Sequence, residues 1–175
     1  MSRGLPGLSD TEAELWIALT VMSQLFTPSM DQRLRAVDLT LFEYGALMSL
    51  LDSPKHTLRI SEMAERTYAS LPRMSKVVVR LETRGLVRRV RSTEDSRAFD
   101  IELTTAGRSR LRDSAPIQSA AARDLALSCL SADEVTTLGA LLARLVRGLD
   151  PKSPLGTERQ AAGGRDTEPA QESRP

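Results

Sequence analysis

The chain has 175 residues, long enough for one domain with a substantial core, and its 41% hydrophobic and 27% charged content is ordinary for a soluble globular protein. No apolar run approaches the roughly 18 residues of a membrane span, and the first ten residues do not resemble a signal peptide, so we expect a cytoplasmic protein. The single cysteine, Cys129, excludes an internal disulfide framework and a cysteine-rich zinc site.

The net charge of +1 is unevenly distributed along the chain. Residues 58–112 carry 13 Lys/Arg and 7 Asp/Glu, a net of +6, whereas residues 1–57 carry −3 and residues 113–175 carry −2. A basic middle between acidic ends is typical of a DNA-binding module set into a dimerisation scaffold. A basic surface that only contacts solvent explains the charge equally well.

Helix signals dominate the first third of the chain. Ser9 and Glu12 form a capping box, in which the hydroxyl and the carboxylate satisfy the free amides of a helix start, and apolar residues follow at helical spacing. Thr40 and Glu43 form a second box. It opens a helix that ends before Ser53-Pro54.

The basic middle begins with two further helices and continues into a hairpin. Ser61 predicts a short third helix, and Ser70 can cap a fourth helix that ends at Gly85. Hydrophobic and acidic residues then alternate over residues 99–103, which predicts a half-buried strand, and residues 86–91 are its expected hairpin partner. The order is that of a helix–turn–helix unit followed by a two-stranded wing.

Two more helices are predicted before the composition changes. Thr104 starts the fifth helix, in which Pro116 is expected to cause a kink or a break. Ser131 and Glu134 cap a sixth helix with an apolar stripe. From residue 150 onward the chain is rich in Pro, Gly, Glu and Arg, which predicts a disordered tail.

The fourth helix is the candidate recognition helix because its two faces differ. At 100° per residue, the aliphatic residues Met74, Val78 and Leu81 share one face. The cations Arg73, Lys76 and Arg80 fall together on the opposite face, where they can neutralise phosphates, and arginine can also pair with guanine.

Five motifs in order resemble the multiple-antibiotic-resistance regulator (MarR) family over about residues 11–149. They are Leu39-Thr40-Leu41-Phe42-Glu43-Tyr44, Ile60-Ser61-Glu62-Met63-Ala64, Arg80-Leu81-Glu82-Thr83-Arg84-Gly85-Leu86-Val87, Asp95-Ser96-Arg97 and Leu103-Thr104-Thr105-Ala106-Gly107. The resemblance implies a mainly α protein with a small β-hairpin wing, built as a six-helix protomer that forms a homodimer. It also implies repression or activation at palindromic duplex DNA, often relieved by small phenolic or anionic ligands.

The resemblance divides the chain into an N-terminal arm (1–10), a winged domain (11–149) and the tail (150–175). Within the domain it implies a DNA-binding unit at 58–103 and dimerisation helices at 11–32 and 104–149.

Individual DNA-binding residues follow from the matched motifs. Ser70, Arg73, Ser75 and Lys76 match recognition-helix positions that meet the major groove, and Pro72 and Arg80 complete the predicted surface of that helix. On the wing, Arg97 matches an arginine that enters the minor groove, and Asp95 matches the acid that orients it. The pair Leu71-Pro72 departs from the small polar residues usual in the family, which puts in question which bases are recognised.

Three other residues, His56, Cys129 and Trp16, are candidates for a functional role. His56 lacks neighbouring ligands or catalytic partners in the sequence, and we expect Cys129 to be a buried, inert thiol rather than an oxidation sensor. Trp16 either lines a ligand pocket or packs at the dimer interface. No phosphate loop, nucleophile motif or metal motif is present, so neither an enzyme nor a cofactor is expected. The alternatives to a ligand-responsive regulator are a winged module for protein contacts and a regulator that senses oxidation through Cys129.

Overall fold

The computed structural model describes residues 5–92 and 98–153. The candidate wing residues Asp95 and Arg97, and the tail from residue 154 onward, lie outside the described residues. The described residues divide into two units, with the boundary between Leu125 and Ala126.

The described residues form six α-helices and three short strands, which matches the mainly helical fold expected from the sequence. The helices are α1 (Asp10–Leu34), α2 (Leu41–Leu51), α3 (Ile60–Arg66), α4 (Leu71–Thr83), α5 (Thr105–Ala122) and α6 (Ala132–Leu149). The strands are β1 (Thr57–Arg59), β2 (Val87–Arg91) and β3 (Phe99–Leu103). Short 3-10 turns cover Arg35–Val37 and Pro54–His56, and a π-helical turn covers Arg123–Leu127.

Three predicted capping boxes are confirmed. At the starts of α1, α2 and α6, the Ser or Thr hydroxyl accepts a hydrogen bond from the backbone of a glutamate three residues later, and the glutamate carboxylate accepts one in return. The pairs are Ser9–Glu12, Thr40–Glu43 and Ser131–Glu134. These caps fix where each helix begins from local sequence alone.

The wing contains one strand more than the sequence predicted. β2 and β3 form the expected antiparallel hairpin, with Val87 opposite Leu103 and Arg91 opposite Phe99. β1 pairs with the other edge of β3, so the sheet order is β1-β3-β2. β1 has only three residues, too few to show an alternating sequence pattern. It forms a strand because its backbone hydrogen-bonds to the edge of β3.

Of the two outcomes expected at Pro116, a kink or a break, the break does not occur, because α5 runs without interruption from Thr105 to Ala122. Proline has no backbone N–H, so Pro116 cannot donate the helical hydrogen bond to the carbonyl of Arg112. Both residues are exposed, so water can satisfy that carbonyl. The α-helical geometry changes only after α5, in the π-helical turn Arg123–Leu127.

The core of the winged region includes α2 as well as the predicted helix–turn–helix and hairpin. Sixteen buried residues form one cluster: Leu39, Ala46, Leu47, Leu50, Leu58, Met63, Ala64, Met74, Val77, Val78, Leu81, Leu86, Val87, Ile101, Leu103 and Leu111. Four of them precede residue 58, so the core that supports α4 includes residues of α2 and of the segment before it.

The start of α5 packs closely against the turn that precedes β2. A Cβ atom added at Gly107 would lie 2.2 Å from the carbonyl oxygen of Leu86. The Thr104 hydroxyl caps α5 and donates a hydrogen bond to the Gly85 carbonyl at 2.7 Å. This close approach explains why a glycine stands at position 107.

Helix α6 buries none of its residues, although it has the apolar stripe that the sequence predicted. Leu138, Leu141, Leu142 and Leu145 are each 40–45% exposed. No single helix of the described residues is long and apolar enough to span a membrane; only Thr105–Leu127 and Ala132–Leu149 taken jointly reach that length and composition.

Candidate nucleic-acid interface

Helix α4 has the two faces that the sequence predicted. Met74, Val77, Val78 and Leu81 are each at most 2% exposed and form its buried side. Its exposed residues include Pro72, Arg73, Lys76, Val79 and Arg80. The helix is therefore fixed to the core along one side and leaves cationic and apolar side chains accessible on the other.

Arg73 stacks on an aromatic side chain of α2. Its guanidinium carbon lies 4.0 Å from the centroid of the Phe42 ring, which is a cation–π contact. Phe42 is half-buried against the core cluster, so its ring is a firm support for the arginine. The contact restricts the rotamers of Arg73 before any ligand is bound.

Arg80 and Arg84 share a buried carboxylate on α2. Glu43 is 5% exposed, and its carboxylate oxygens lie 3.2 Å from Arg80 Nε and 3.4 Å from Arg84 Nη1. The same carboxylate accepts the Thr40 backbone N–H at 3.0 Å as part of the α2 capping box. A buried carboxylate with this many donors is fully compensated, and it ties α2 to the C-terminal end of α4.

The balance of these contacts keeps Glu43 ionised. Burial alone would raise the pKa of its carboxyl group. The hydrogen bonds from the Thr40 backbone and Arg80, together with the charges of Arg84 and Arg80, outweigh burial and lower the pKa.

The structure agrees with the prediction that α4 presents three cations outward, because Arg73, Lys76 and Arg80 are all exposed. Arg73 also contacts Phe42, and Arg80 also pairs with Glu43. Angular position on a helical wheel does not show which neighbouring element a long side chain will reach.

The three small residues at the start of α4 occupy the expected places. Ser70 is the N-cap residue, but its hydroxyl makes no capping hydrogen bond, contrary to prediction. Pro72 lies in the first turn without disturbing the helix, and Ser75 is half-buried. Ser70 and Pro72 are exposed at the end of α4 from which a recognition helix contacts bases.

Strand β2 adds a second cationic surface that the sequence analysis did not assign to the site. Arg88 forms a two-point ion pair with Glu102 at 2.9 and 3.1 Å, and Arg89 contacts Glu82 of α4 at 3.2 Å. Arg91 is exposed where β2 approaches the tip of the wing. The run Val-Arg-Arg-Val-Arg is visible in the sequence, but the acids that pair with Arg88 and Arg89, on β3 and α4 respectively, follow only from the folded structure.

Phe42 and Glu43 were also missed as parts of the site. Both stand in the first motif of the resemblance, and Glu43 was assigned to the α2 cap alone. Their partners on α4, Arg73 and Arg80, lie more than 30 residues later in the chain, so no local pattern signals these contacts.

A recess lies where α1, α2 and α4 meet. Its lining residues are Thr27, Asp31, Thr40, Phe42, Arg73, Lys76, Val77 and Arg80. The Asp31 carboxylate accepts the Leu41 backbone N–H at 2.6 Å, which links α1 directly to the first turn of α2. Trp16 does not line this recess; it lies on α1 with 59% of its surface exposed.

Cys129 is exposed, so the expectation of a buried thiol is wrong. It lies in the polar connection that precedes α6, where its Sγ is 3.2 Å from the carbonyl oxygen of Ala126. His56 is half-buried, and its Nδ1 lies 2.9 Å from the Leu51 carbonyl oxygen, a contact that serves the turn after α2.

Comparison with known proteins points to one family. A model of the MarR family matches residues 37–98, the part of the chain that contains α2, β1, α3, α4 and β2. The HTH-type transcriptional repressor YetL of Bacillus subtilis is 31% identical over 103 residues, which are 59% of this chain and 62% of that protein. The chain thus matches about three fifths of the length of this curated relative.

Two solved structures share the fold over most of the chain. Sco3205, a MarR family transcriptional regulator from Streptomyces coelicolor in complex with DNA, superposes with a TM-score of 0.78 at 28% identity, covering 87% of this chain and 97% of its own. AbsC, a MarR family transcriptional regulator from the same organism, superposes with a TM-score of 0.76 at 28% identity, covering 85% of this chain and 100% of its own.

Proposed function

We propose that this chain is a transcription regulator of the MarR family, whose model matches residues 37–98, and that it binds palindromic duplex DNA as a homodimer. The observation that carries the proposal is the geometry of α4. This helix is fixed to the core on one side and presents Ser70, Pro72 and Lys76 on the other. The similar Sco3205 structure contains DNA, which supports the same use of the winged fold here.

The electrostatics of the winged region favour a polyanionic partner. Residues 58–112 carry a net charge of +6, and exposed cations occur both on α4 and on β2. Each cation that neutralises a phosphate releases a counterion, so affinity for duplex DNA falls steeply as salt rises. We further propose that Arg97 enters the minor groove beside the wing and that Asp95 holds its side chain in place.

The terminal helices supply the proposed dimer interface. α1 exposes Leu15, Trp16, Val21, Met22 and Leu25, and α6 exposes Leu138, Leu141, Leu142, Leu145 and Leu149. Apolar surface of this extent on two helices is typical of a protein that pairs with a second copy. A two-fold dimer places two recognition helices about one DNA turn apart, as a palindrome requires.

A small phenolic or anionic effector is the proposed signal. The recess between α1, α2 and α4 is lined by three cationic side chains, Arg73, Lys76 and Arg80. An anion held there competes with DNA for the same cations, so binding of the effector and of DNA would oppose each other. We propose repression as the sign of regulation, relieved by the effector.

A mobility-shift experiment with the DNA upstream of the chain's own gene tests the proposal. We expect a discrete complex that survives excess nonspecific duplex and weakens as salt is raised. The matched control is the same DNA with one half of the palindrome scrambled, which should bind much more weakly. If no duplex binds in preference to random DNA, the winged domain serves protein contacts instead.

A further inference from the structure

The first turn of α4 exposes apolar side chains at the place where the proposed function brings bases close. Leu71 is 48% exposed and Pro72 is exposed, and both directly precede Arg73. Met74 and Val78 on the buried face of α4 are 0% exposed, whereas about half of Leu71 is accessible to solvent. An apolar pair at this position has no charge and no side-chain hydrogen-bond donor with which to bind a phosphate.

We propose that Leu71 and Pro72 recognise the 5-methyl group of thymine in the major groove, which makes Leu71 a specificity-determining residue for the operator. The inference rests on the DNA-binding function proposed above. It names one feature of the DNA sequence that this protein selects: a thymine in each half-site, opposite the first turn of α4.

The chemistry of base edges leads to thymine. In the major groove the edges of guanine, cytosine and adenine present polar nitrogen and oxygen groups, and thymine alone presents a methyl group. A leucine side chain has neither a donor nor an acceptor, and Pro72 also lacks the backbone N–H. Packing either residue against a polar edge would remove water without replacing its hydrogen bonds, whereas packing against the methyl group buries apolar surface on both sides.

The charged neighbours of this apolar pair make duplex DNA its occupant. Arg73 and Lys76 follow within the next turn and a half of α4 and are also exposed, and Lys76 is available to a phosphate. Ser70 precedes the pair, with a hydroxyl that makes no capping hydrogen bond. A small apolar contact at a helix end that also carries exposed cations and a hydroxyl is complementary to a methyl group inside a polar, negatively charged groove.

The experiment replaces thymine with deoxyuridine, which lacks only the methyl group. The full chain first selects its preferred sites from a pool of randomised duplexes. Each thymine of the selected site is then replaced in turn, in both half-sites, and the affinity is measured by fluorescence anisotropy. We expect one position per half-site at which deoxyuridine weakens binding about fourfold, and about fifteenfold when both half-sites are changed.

Two variants assign the effect to its side chain. In Leu71→Ala the loss caused by deoxyuridine at that position should disappear. Val79→Ala is the matched control, because Val79 is similarly exposed, at 51%, two turns later on the same helix, and this variant should keep the loss. Should Leu71→Ala fold poorly, the deoxyuridine series on the unchanged chain still decides the proposal, since it alters the DNA only.

The outcomes separate this inference from the function on which it rests. Selective binding with no deoxyuridine effect at any thymine overturns the inference and leaves DNA binding intact. An equal deoxyuridine effect in Leu71→Ala and the unchanged chain overturns the role of Leu71. If no duplex is enriched from the pool, the DNA-binding function fails, and the inference fails with it.

Discussion

The winged region and helix α6 use their apolar residues in opposite ways. In the winged region, Leu47, Met74 and Leu81 are completely buried within one chain. α6 has as clear an apolar stripe, but none of its residues is buried, and Leu142 and Leu145 are 40% and 45% exposed. An amphipathic pattern thus predicts which face of a helix will be covered, and it does not identify what covers it.

The largest expected effect is the loss of folding when the apolar stripe of α6 is disrupted. Replacing Leu142 and Leu145 together with Asp places two charges on the proposed dimer interface, and we expect unfolded or aggregated protein rather than a clean monomer, because folding and pairing are coupled. Circular dichroism and size-exclusion chromatography measure this. Thr137→Asp adds a charge at an exposed polar position of α6 and should leave both unchanged. A soluble, fully helical monomer from the double variant would show that the winged region folds without a partner.

A smaller effect is expected on DNA binding from the arginine that rests on Phe42. Arg73→Ala should weaken binding by about 1–3 kcal/mol and relax the preference at one position in each half-site, if the guanidinium reaches a base edge. Anisotropy titrations on the selected site and on its single-base variants measure both quantities. A uniform loss over all sequences would instead assign Arg73 to phosphate contact.

A moderate, pH-dependent effect on the free energy of unfolding is expected from Glu43, the buried carboxylate that joins α2 to α4. Because the pKa of Glu43 is lowered in the folded chain, its contribution is present at neutral pH and is lost as the pH falls through the folded value. Glu43→Gln keeps an acceptor for the Thr40 amide but removes the charge, so we expect a loss of about 1–2 kcal/mol at pH 7.

Urea denaturation at pH 7 and in the acid range checks this expectation. The difference between Glu43→Gln and the unchanged chain should shrink in acid, where Glu43 itself becomes protonated. Glu102→Gln is the control, since its pair with Arg88 is exposed to solvent and contributes little. Equal losses for the two variants would remove the special role of the buried pair.

The smallest expected effect concerns the exposed thiol. Cys129→Ser should bind DNA like the unchanged chain, with and without peroxide, because the thiol lies in the connection before α6 and not in the winged region. Mobility shifts at matched peroxide concentrations measure this. Release of DNA by peroxide that disappears in Cys129→Ser would make the chain an oxidation sensor.

Local signals predicted much of the fold, because helix caps and periodicity involve neighbouring residues. The capping boxes at Ser9, Thr40 and Ser131 and the buried face of α4 follow from spacing alone. The left-handed conformation of Gly85 likewise follows from its place at the end of α4.

Features that depend on distant partners were not predictable in this way. The strand β1 needs β3, and the direction of Arg80 depends on a carboxylate 37 residues earlier in the chain. The continuity of α5 through Pro116 depends on the exposure of the affected carbonyl, which only the packed structure shows. For the candidate site, the sequence located the helix and its chemistry, and the structure supplied the contacts that hold its arginines.

The proposed dimer is tested most directly by the mass of the protein alone and on a duplex that contains one selected palindrome, measured by light scattering at micromolar concentration. We expect a dimer in both cases, with two chains on each duplex and one recognition helix in each half-site. A folded monomer in solution, or a single chain bound to the palindrome, would contradict it.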